Sequence, residues 1–154
     1  MIIYKKGNLF DVPKQNTLLV HAVNCKGVWG SGIAVEFKTR FPKSFEDYAR
    51  LCNNYGDDLI GNGFHYYVPC DDDQAIGYLF TSKGYGENKD SENLILKNTS
   101  KAVEMLLGLT LPTTEIHSPK INSGKFAVPW EHTEPIINNA ILASGHTWIV
   151  WEQE

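Results

Sequence analysis

The chain has 154 residues, a formal net charge of −4 and a hydrophobic content of 42%. This length fits one domain, and the apolar content supports a buried core, so disorder is not expected. The negative charge disfavours a protein that binds duplex nucleic acid by neutralising its phosphates. The sequence shows no apolar run long enough to span a membrane, no signal peptide, and no zinc or disulfide pattern in its three cysteines. We therefore expect a monomeric cytoplasmic protein without nucleic-acid or membrane partners.

The first half of the chain alternates strands with helices. Residues 2–5 predict a short strand, and the apolar run 17–23 predicts a second strand that is buried on both faces. A helix follows a glycine-containing loop and reaches Arg40, because Pro42 forces a break. A second helix is indicated by apolar residues at helical spacing, namely Phe45, Tyr48, Ala49 and Cys52.

The second half continues this alternation. Residues 64–68 and 75–81 predict an antiparallel hairpin, whose connection holds three aspartates that we interpret as a solvated turn. Ser91 is expected to cap a helix, and residues 115–120 predict a short strand. The last helix is predicted to have Pro135 in its first turn and to end at Gly145, before a buried strand at 147–151. The pattern predicts one α/β domain over residues 1–154, with a mixed sheet.

Two glycine-containing loops follow predicted strands, at residues 27–32 and 121–129. The first leads directly into a helix, whose unpaired N–H groups and dipole favour an anion. The first loop is not a Walker loop, because Ile33 and Ala34 follow Gly32 where Lys and then Ser or Thr are needed. It is not a dinucleotide-binding fingerprint either, because Val35 occupies the position of the third glycine. Both loops are expected to meet at the carboxyl edge of the sheet, where such proteins bind ligands. Phosphate binding is therefore predicted.

Taken together, the loop sequences VNCKGVWGSGIA and INSGKFAVP resemble the two phosphate-binding loops of macro domains, which bind ADP-ribose. The likeness is greater to the ADP-ribose 1″-phosphate phosphatase branch, which carries HxxNCxGxWGxGIA and INSGxFxVPW. The segments KGN and LFTS also fit this branch. The resemblance implies a three-layer α/β/α fold with a central mixed sheet. It also implies hydrolysis of ADP-ribose 1″-phosphate without a metal or cofactor.

The resemblance further implies roles for matching positions. The adenine pocket falls on Gly7, Asn8 and Leu9, with Asn8 in place of the usual aspartate. Asn24 matches an asparagine that binds a hydroxyl of the distal ribose, and Phe126 would pack on that ribose. Substrate contacts along the first loop and its strand are expected from Ala22, Val23, Asn24, Trp29, Gly30, Ser31, Gly32, Ile33 and Ala34. Those of the second loop are expected from Ile121, Asn122, Ser123, Gly124, Lys125, Phe126 and Ala127.

Four side chains in or beside the two loops each have two interpretations. His21 stands where the phosphatase-like branch has a histidine, and it is either the general acid or a strand histidine satisfied by a backbone carbonyl. Trp29 is expected to be a lid over the distal ribose rather than a core residue. Lys125 either pairs with the terminal phosphate or is solvated. Cys25 invites comparison with a nucleophile, but a small buried thiol is the safer interpretation.

Another branch of the family removes ADP-ribose from acylated or glutamate-linked forms, and it resembles this chain in KGNLF and GIAVEFK. That branch depends on a lysine after the strand that ends near Thr81 and on an aspartate in the second loop. Lys83 fits the lysine only with a shift of one residue, and Phe126 occupies the acidic position. The phosphatase is therefore favoured, with a deacylase or a non-catalytic ADP-ribose-binding module as alternatives.

Overall fold

A computed structural model describes residues 1–66 and 74–153, with only the backbone of Tyr66. Its six strands are β1 (Ile3–Lys6), β2 (Thr17–Asn24), β3 (Gly63–Tyr66), β4 (Ala75–Ser82), β5 (Glu115–Ser118) and β6 (Trp148–Glu152). The α-helices of the described residues are α1 (Ile33–Arg40), α2 (Pro42–Tyr55), α3 (Glu92–Gly108) and α4 (Trp130–Ser144).

The strands form one sheet in the order β1-β6-β5-β2-β4-β3. Every strand pair is parallel except β3 with β4. Helices cover both faces, so the predicted three-layer α/β/α fold with a mixed sheet is confirmed. None of the helices seen in residues 1–66 and 74–153 combines the length and apolarity that crossing a membrane requires.

Side-chain alternation along β2 separates the two cores. Leu18 and Val20 pack on the face covered by α3 and α4, whereas Leu19 and Val23 pack on the face covered by α1 and α2. His21 has the same parity as Leu19 and Val23 and makes its ring contacts on the α1/α2 side. Because both faces of β2 are buried, the strand reads as a continuous apolar run.

Two helix ends follow their predicted signals. The Ser91 hydroxyl accepts a hydrogen bond from the Leu94 N–H at 3.3 Å and caps α3, and Gly145 ends α4 in the left-handed conformation with φ of 79°.

The predicted start of α4 is wrong. The helix begins at Trp130, directly after Pro129, so Pro135 lies inside it rather than in its first turn. The earlier Pro129 marks the boundary instead. The predicted aspartate turn between β3 and β4 lies outside the described residues.

Candidate functional site

The carboxyl ends of five parallel strands share one edge of the sheet. The loops that leave this edge include the turn after β1, the first loop (residues 25–32) after β2, and the second loop (residues 121–129) after β5. The loop after β4 (residues 83–90) leaves the same edge. In open α/β sheets this edge is where ligands bind. The topology therefore places both phosphate-loop candidates at one site.

The first and second loops come close together. A Cβ on Gly32 would lie 3.6 Å from Cγ of Lys125, so the aliphatic part of the lysine lies beside the residue that precedes α1. Gly32 has a φ of 63° and precedes the helix without a side-chain cap. The first-turn N–H groups of α1 therefore face the junction of the two loops without a competing cap. Gly30, Ser31 and Lys125 are exposed there, whereas Ile33 and Ala34 are half-buried.

Asn122 anchors the second loop to the sheet and to α3. It is 5% exposed and has a φ of 68°, a left-handed conformation that asparagine tolerates better than most residues. Its Oδ1 accepts a hydrogen bond from the Thr81 hydroxyl, and its Nδ2 donates to the Thr99 hydroxyl, both at 2.8 Å. The side chain thus fixes the loop. Any contact of Asn122 with substrate stays a prediction.

The rest of the second loop turns outward after this anchor. Ile121 is buried in the α3/α4 core, while Ser123, Gly124 and Ala127 are exposed and Phe126 is half-buried. The Ala127 N–H donates to the Gly124 carbonyl at 3.1 Å, which closes a tight turn around Lys125. The exposed tip is therefore the part of this loop that a ligand can reach.

Asn24 shapes the first loop from within. Its Oδ1 accepts a hydrogen bond from the Lys26 N–H at 2.9 Å, and its Nδ2 donates to the Val28 carbonyl at 2.8 Å. The residue is 6% exposed. Of the two residues before it, Val23 is buried and Ala22 is half-buried. Contact of Asn24 with the distal ribose, as the family resemblance implies, stays a prediction.

The expectation that Trp29 is a lid over the ribose is wrong for the conformation of this structure. The indole is 2% exposed and stacks on Tyr48, with ring centroids 4.7 Å apart. It also packs edge-on against Phe45 and His21. Flanking glycines suggested exposure, but the apolar face of α2 offered the ring a larger buried contact. Trp29 therefore anchors the first loop to the core.

His21 lies in this aromatic cluster. Its imidazole is 1% exposed and stacks on Phe37 with centroids 3.9 Å apart and an interplanar angle of 6°. Both ring nitrogens are buried without a hydrogen-bond partner among the described residues, so the backbone partner expected for a structural histidine is not seen there. Burial lowers the pKa of His21 to about 3, so the ring is neutral near pH 7.

The thiol of Cys25 is buried. Burial is the main cause that raises its pKa to about 12. Because the thiolate is the nucleophilic form, this environment opposes covalent chemistry. The interpretation of Cys25 as a small buried side chain is thus supported.

The predicted adenine end lies beside β6. Gly7 has a φ of 134°, and its N–H donates to the Glu152 carbonyl at 2.9 Å. Asn8 is exposed and accepts a hydrogen bond from the Phe10 N–H at 2.9 Å, which caps a short 3₁₀ helix. Leu9 turns inward and is 5% exposed. Gly7 and Asn8 thus lie at the ligand edge, whereas the Leu9 side chain belongs to the core.

The loop after β4 packs on the first loop, which the sequence analysis did not foresee. The Lys83 carbonyl accepts a hydrogen bond from the Cys25 N–H at 3.1 Å, and the Lys83 N–H donates to Asp90 at 2.9 Å. Asp90 also donates its N–H to the Ser82 hydroxyl. Each of these hydrogen bonds has a backbone N–H as its donor, so side-chain periodicity carries no signal for them. The fixing roles of Thr81 and Thr99 were missed for a related reason, since helical spacing and β-propensity identify buried positions without identifying their polar partners.

The fold and the paired loops define an α/β protein with a candidate anion site at the carboxyl edge of its sheet. Residues 20–137 match the model of the macro domain family, and the chain belongs to that family.

Two named relatives cover most of the chain. It is 36% identical to the ADP-ribose 1″-phosphate phosphatase of Debaryomyces hansenii, over 90% of this chain and 93% of that protein. It is 30% identical to the protein of the same name from Saccharomyces cerevisiae, over 88% and 90%. Among solved structures, the macrodomain of Thermus aquaticus DarG aligns with a TM-score of 0.79 and 26% identity, covering 99% of this chain and 98% of that one.

Proposed function

We propose that the protein is an ADP-ribose 1″-phosphate phosphatase, which hydrolyses this monoester to ADP-ribose and inorganic phosphate. The observation that carries the proposal is the meeting of the first and second loops at Gly32 and Lys125. The relatives named for this activity, which cover about nine-tenths of the chain, support the same function.

The site supplies donors rather than a nucleophilic side chain. The diphosphate and terminal phosphate would be held by loop N–H groups and by the start of α1, whose dipole favours anions. Lys125 would neutralise part of the phosphate charge. Water attacks phosphorus, the bond between phosphorus and the ribose 1″ oxygen breaks, and that oxygen takes up a proton. Charge that develops on the phosphate is stabilised by the same donors.

His21 is our candidate for the acid that protonates the leaving oxygen. The described conformation favours a structural role, because both nitrogens are enclosed and the pKa is lowered to about 3. An acid role therefore requires His21 or Trp29 to move and the imidazole to gain a proton when substrate binds. Catalytic groups are often poorly aligned until then, so burial does not by itself exclude the role. The two interpretations are separated by experiment below.

The deacylase alternative has less support. The sequence of the second loop, INSGKFAVP, contains no carboxylate, and Phe126 stands at the position where that branch carries its acid. Lys83 is exposed, and its backbone is committed to Cys25 and Asp90. A water activated by a second-loop carboxylate is therefore not available to this site.

The proposal extends to the whole chain. Residues 1–154 would form a single macro domain that acts as a cytoplasmic monomer on small ADP-ribose derivatives. The pairing of β1 with β6 supports the single domain. Ile3 lies opposite Ile149, and both strands fall outside the matched residues 20–137, so the sheet continues beyond them. No nucleic-acid or membrane partner is part of the proposed function.

The proposed selectivity gives a direct test. Because the second loop lacks a carboxylate, we expect phosphate release from ADP-ribose 1″-phosphate to be much faster than cleavage of O-acetyl-ADP-ribose or ADP-ribosyl-glutamate. Initial rates with all three substrates should be measured on the same preparation. Faster cleavage of O-acetyl-ADP-ribose or ADP-ribosyl-glutamate would reject the phosphatase assignment in favour of the deacylase or hydrolase branch. Binding of ADP-ribose without turnover of any substrate would favour the binding module.

A further inference from the structure

Tyr48 of α2 connects the helix layer to the point where the first loop leaves the sheet. Its side chain is fully buried, and its hydroxyl lies 2.8 Å from both the carbonyl oxygen and Oδ1 of Asn24. Its ring stacks on Trp29 on one side and on Phe80 at a centroid distance of 5.9 Å. One side chain therefore holds the beginning of the first loop by its hydroxyl and the end of that loop by its ring.

The strand pairing is irregular where the first loop begins. The register between β2 and β4 shifts between Val23 and Asn24, so the regular ladder is broken where the loop begins. Such a bulge changes the direction in which the following side chain points. Asn24 still pairs with Ser82 after the shift, and the hydroxyl of Tyr48 is thus an additional donor that holds Asn24 where the strand pairing is irregular.

Asn24 passes this constraint to the loop. The same Oδ1 that faces Tyr48 accepts from the Lys26 N–H at 2.9 Å, and it lies 3.5 Å from the Val28 nitrogen. Its Nδ2 donates to the Val28 carbonyl. Without the hydroxyl, the amide keeps its loop bonds but loses the contact that ties them to α2. We therefore expect the position of the first loop relative to the second loop to be less well fixed.

We propose that Tyr48 is a positioning residue of the phosphate site, whose hydroxyl sets the orientation of Asn24 and the first loop for turnover. This inference rests on the proposed phosphatase function. Tyr48 itself does not touch the substrate and acts only through the loop. Because the terminal phosphate must be held in a reactive geometry, a small displacement of this loop lowers the rate more than it lowers the binding of the diphosphate.

The substitution Tyr48→Phe tests the inference, since it removes the hydroxyl and keeps the stacked ring. We expect kcat with ADP-ribose 1″-phosphate to fall about tenfold, the upper range for loss of one neutral hydrogen bond, with a smaller change in the Kd of ADP-ribose. The matched control is Tyr78→Phe, which removes an equally buried hydroxyl that donates to the Ser44 carbonyl of the same helix at 2.7 Å. We expect Tyr78→Phe to lower Tm about as much as Tyr48→Phe does, and to leave kcat unchanged.

Hydrogen exchange of the Lys26 and Val28 amides gives a readout that is independent of turnover. Exchange should be several-fold faster in Tyr48→Phe and unchanged in Tyr78→Phe. Unchanged exchange, or a kcat equal to that of the wild type, would overturn the positioning role. A wild-type protein that releases no phosphate would instead reject the proposed function, and the exchange experiment would still decide whether Tyr48 fixes the loop.

Discussion

The substitution Gly32→Glu is expected to abolish measurable binding of ADP-ribose. Gly32 has a φ of 63°, and a side chain there would grow toward Cγ of Lys125 at the junction of the two loops. The glutamate would place bulk and a negative charge where the diphosphate is proposed to bind. Juxtaposed like charges cost several kcal/mol, and each 1.4 kcal/mol corresponds to about a tenfold change in Kd. Titration calorimetry with ADP-ribose measures this loss.

The control for this experiment is Gly145→Glu. Gly145 also has a positive φ, with open space around its Cβ position, but it precedes β6 and so lies at the opposite edge of the sheet. The Gly145→Glu variant introduces the same charge at a positive φ, in a left-handed conformation (ψ 16°) that a side chain tolerates better than the conformation of Gly32 (ψ −147°). We expect ADP-ribose affinity in this control to match that of the wild type. Unchanged affinity in a folded Gly32→Glu protein would show that the diphosphate binds elsewhere.

The second large effect is expected for His21→Phe, which keeps a flat ring against Phe37 and removes both imidazole nitrogens. If His21 is the general acid, turnover of ADP-ribose 1″-phosphate falls by about 100-fold or more, the usual contribution of such a group. ADP-ribose affinity should change little, because the loop N–H groups remain. We expect both the fall in turnover and the unchanged affinity. Turnover and calorimetric titration with ADP-ribose should be measured on one sample of the variant. Near-normal turnover would assign His21 to the core.

The same variant should change the acid stability of the protein. The pKa of His21 is 6.5 in the unfolded reference and about 3 in the folded chain, mainly because of burial. Between these values the unfolded chain binds the extra proton, so the free energy of unfolding falls as the pH drops from 6.5 toward 3. His21→Phe should remove this contribution, worth up to about 1.4 kcal/mol per pH unit. The lowered pKa of His117 contributes with the same sign and remains in the variant.

Denaturant unfolding of both proteins at several pH values measures this difference. An unchanged pH dependence would show that the histidine is not buried in the neutral form. Combined with turnover, the result separates a buried structural residue from one that also supplies a proton.

The sequence predicted the fold well, because its strongest signals were local. The apolar run of β2 implied burial on both faces, and Ser91 and Gly145 marked helix ends through their capping chemistry. The start of α4 was missed because two prolines compete for the same role. Pro129 precedes the helix, whereas Pro135 is exposed and lies within it.

The site was predictable to the level of its loops but not of its side-chain contacts. Glycine content and the strand–loop–helix order placed Gly32 and Lys125 at one edge, where the structure brings them close together. The burial of Trp29 depends on the ring of Tyr48, which is far from it in sequence. The hydrogen bond of the Tyr48 hydroxyl with Asn24 lies at a shift in strand register and joins residues that are far apart in sequence. Such contacts arise from tertiary packing, which a single sequence does not encode in any local pattern.

We expect this site to hydrolyse the terminal phosphate monoester and to leave the diphosphate intact. Phosphorus NMR of the purified protein with ADP-ribose 1″-phosphate follows both groups at once. We expect the monoester signal to be replaced by that of inorganic phosphate while the two diphosphate signals persist, and we expect Gly145→Glu but not Gly32→Glu to retain this conversion. Loss of the diphosphate signals, or a monoester signal that stays unchanged with the wild-type protein, would reject the proposed phosphatase reaction.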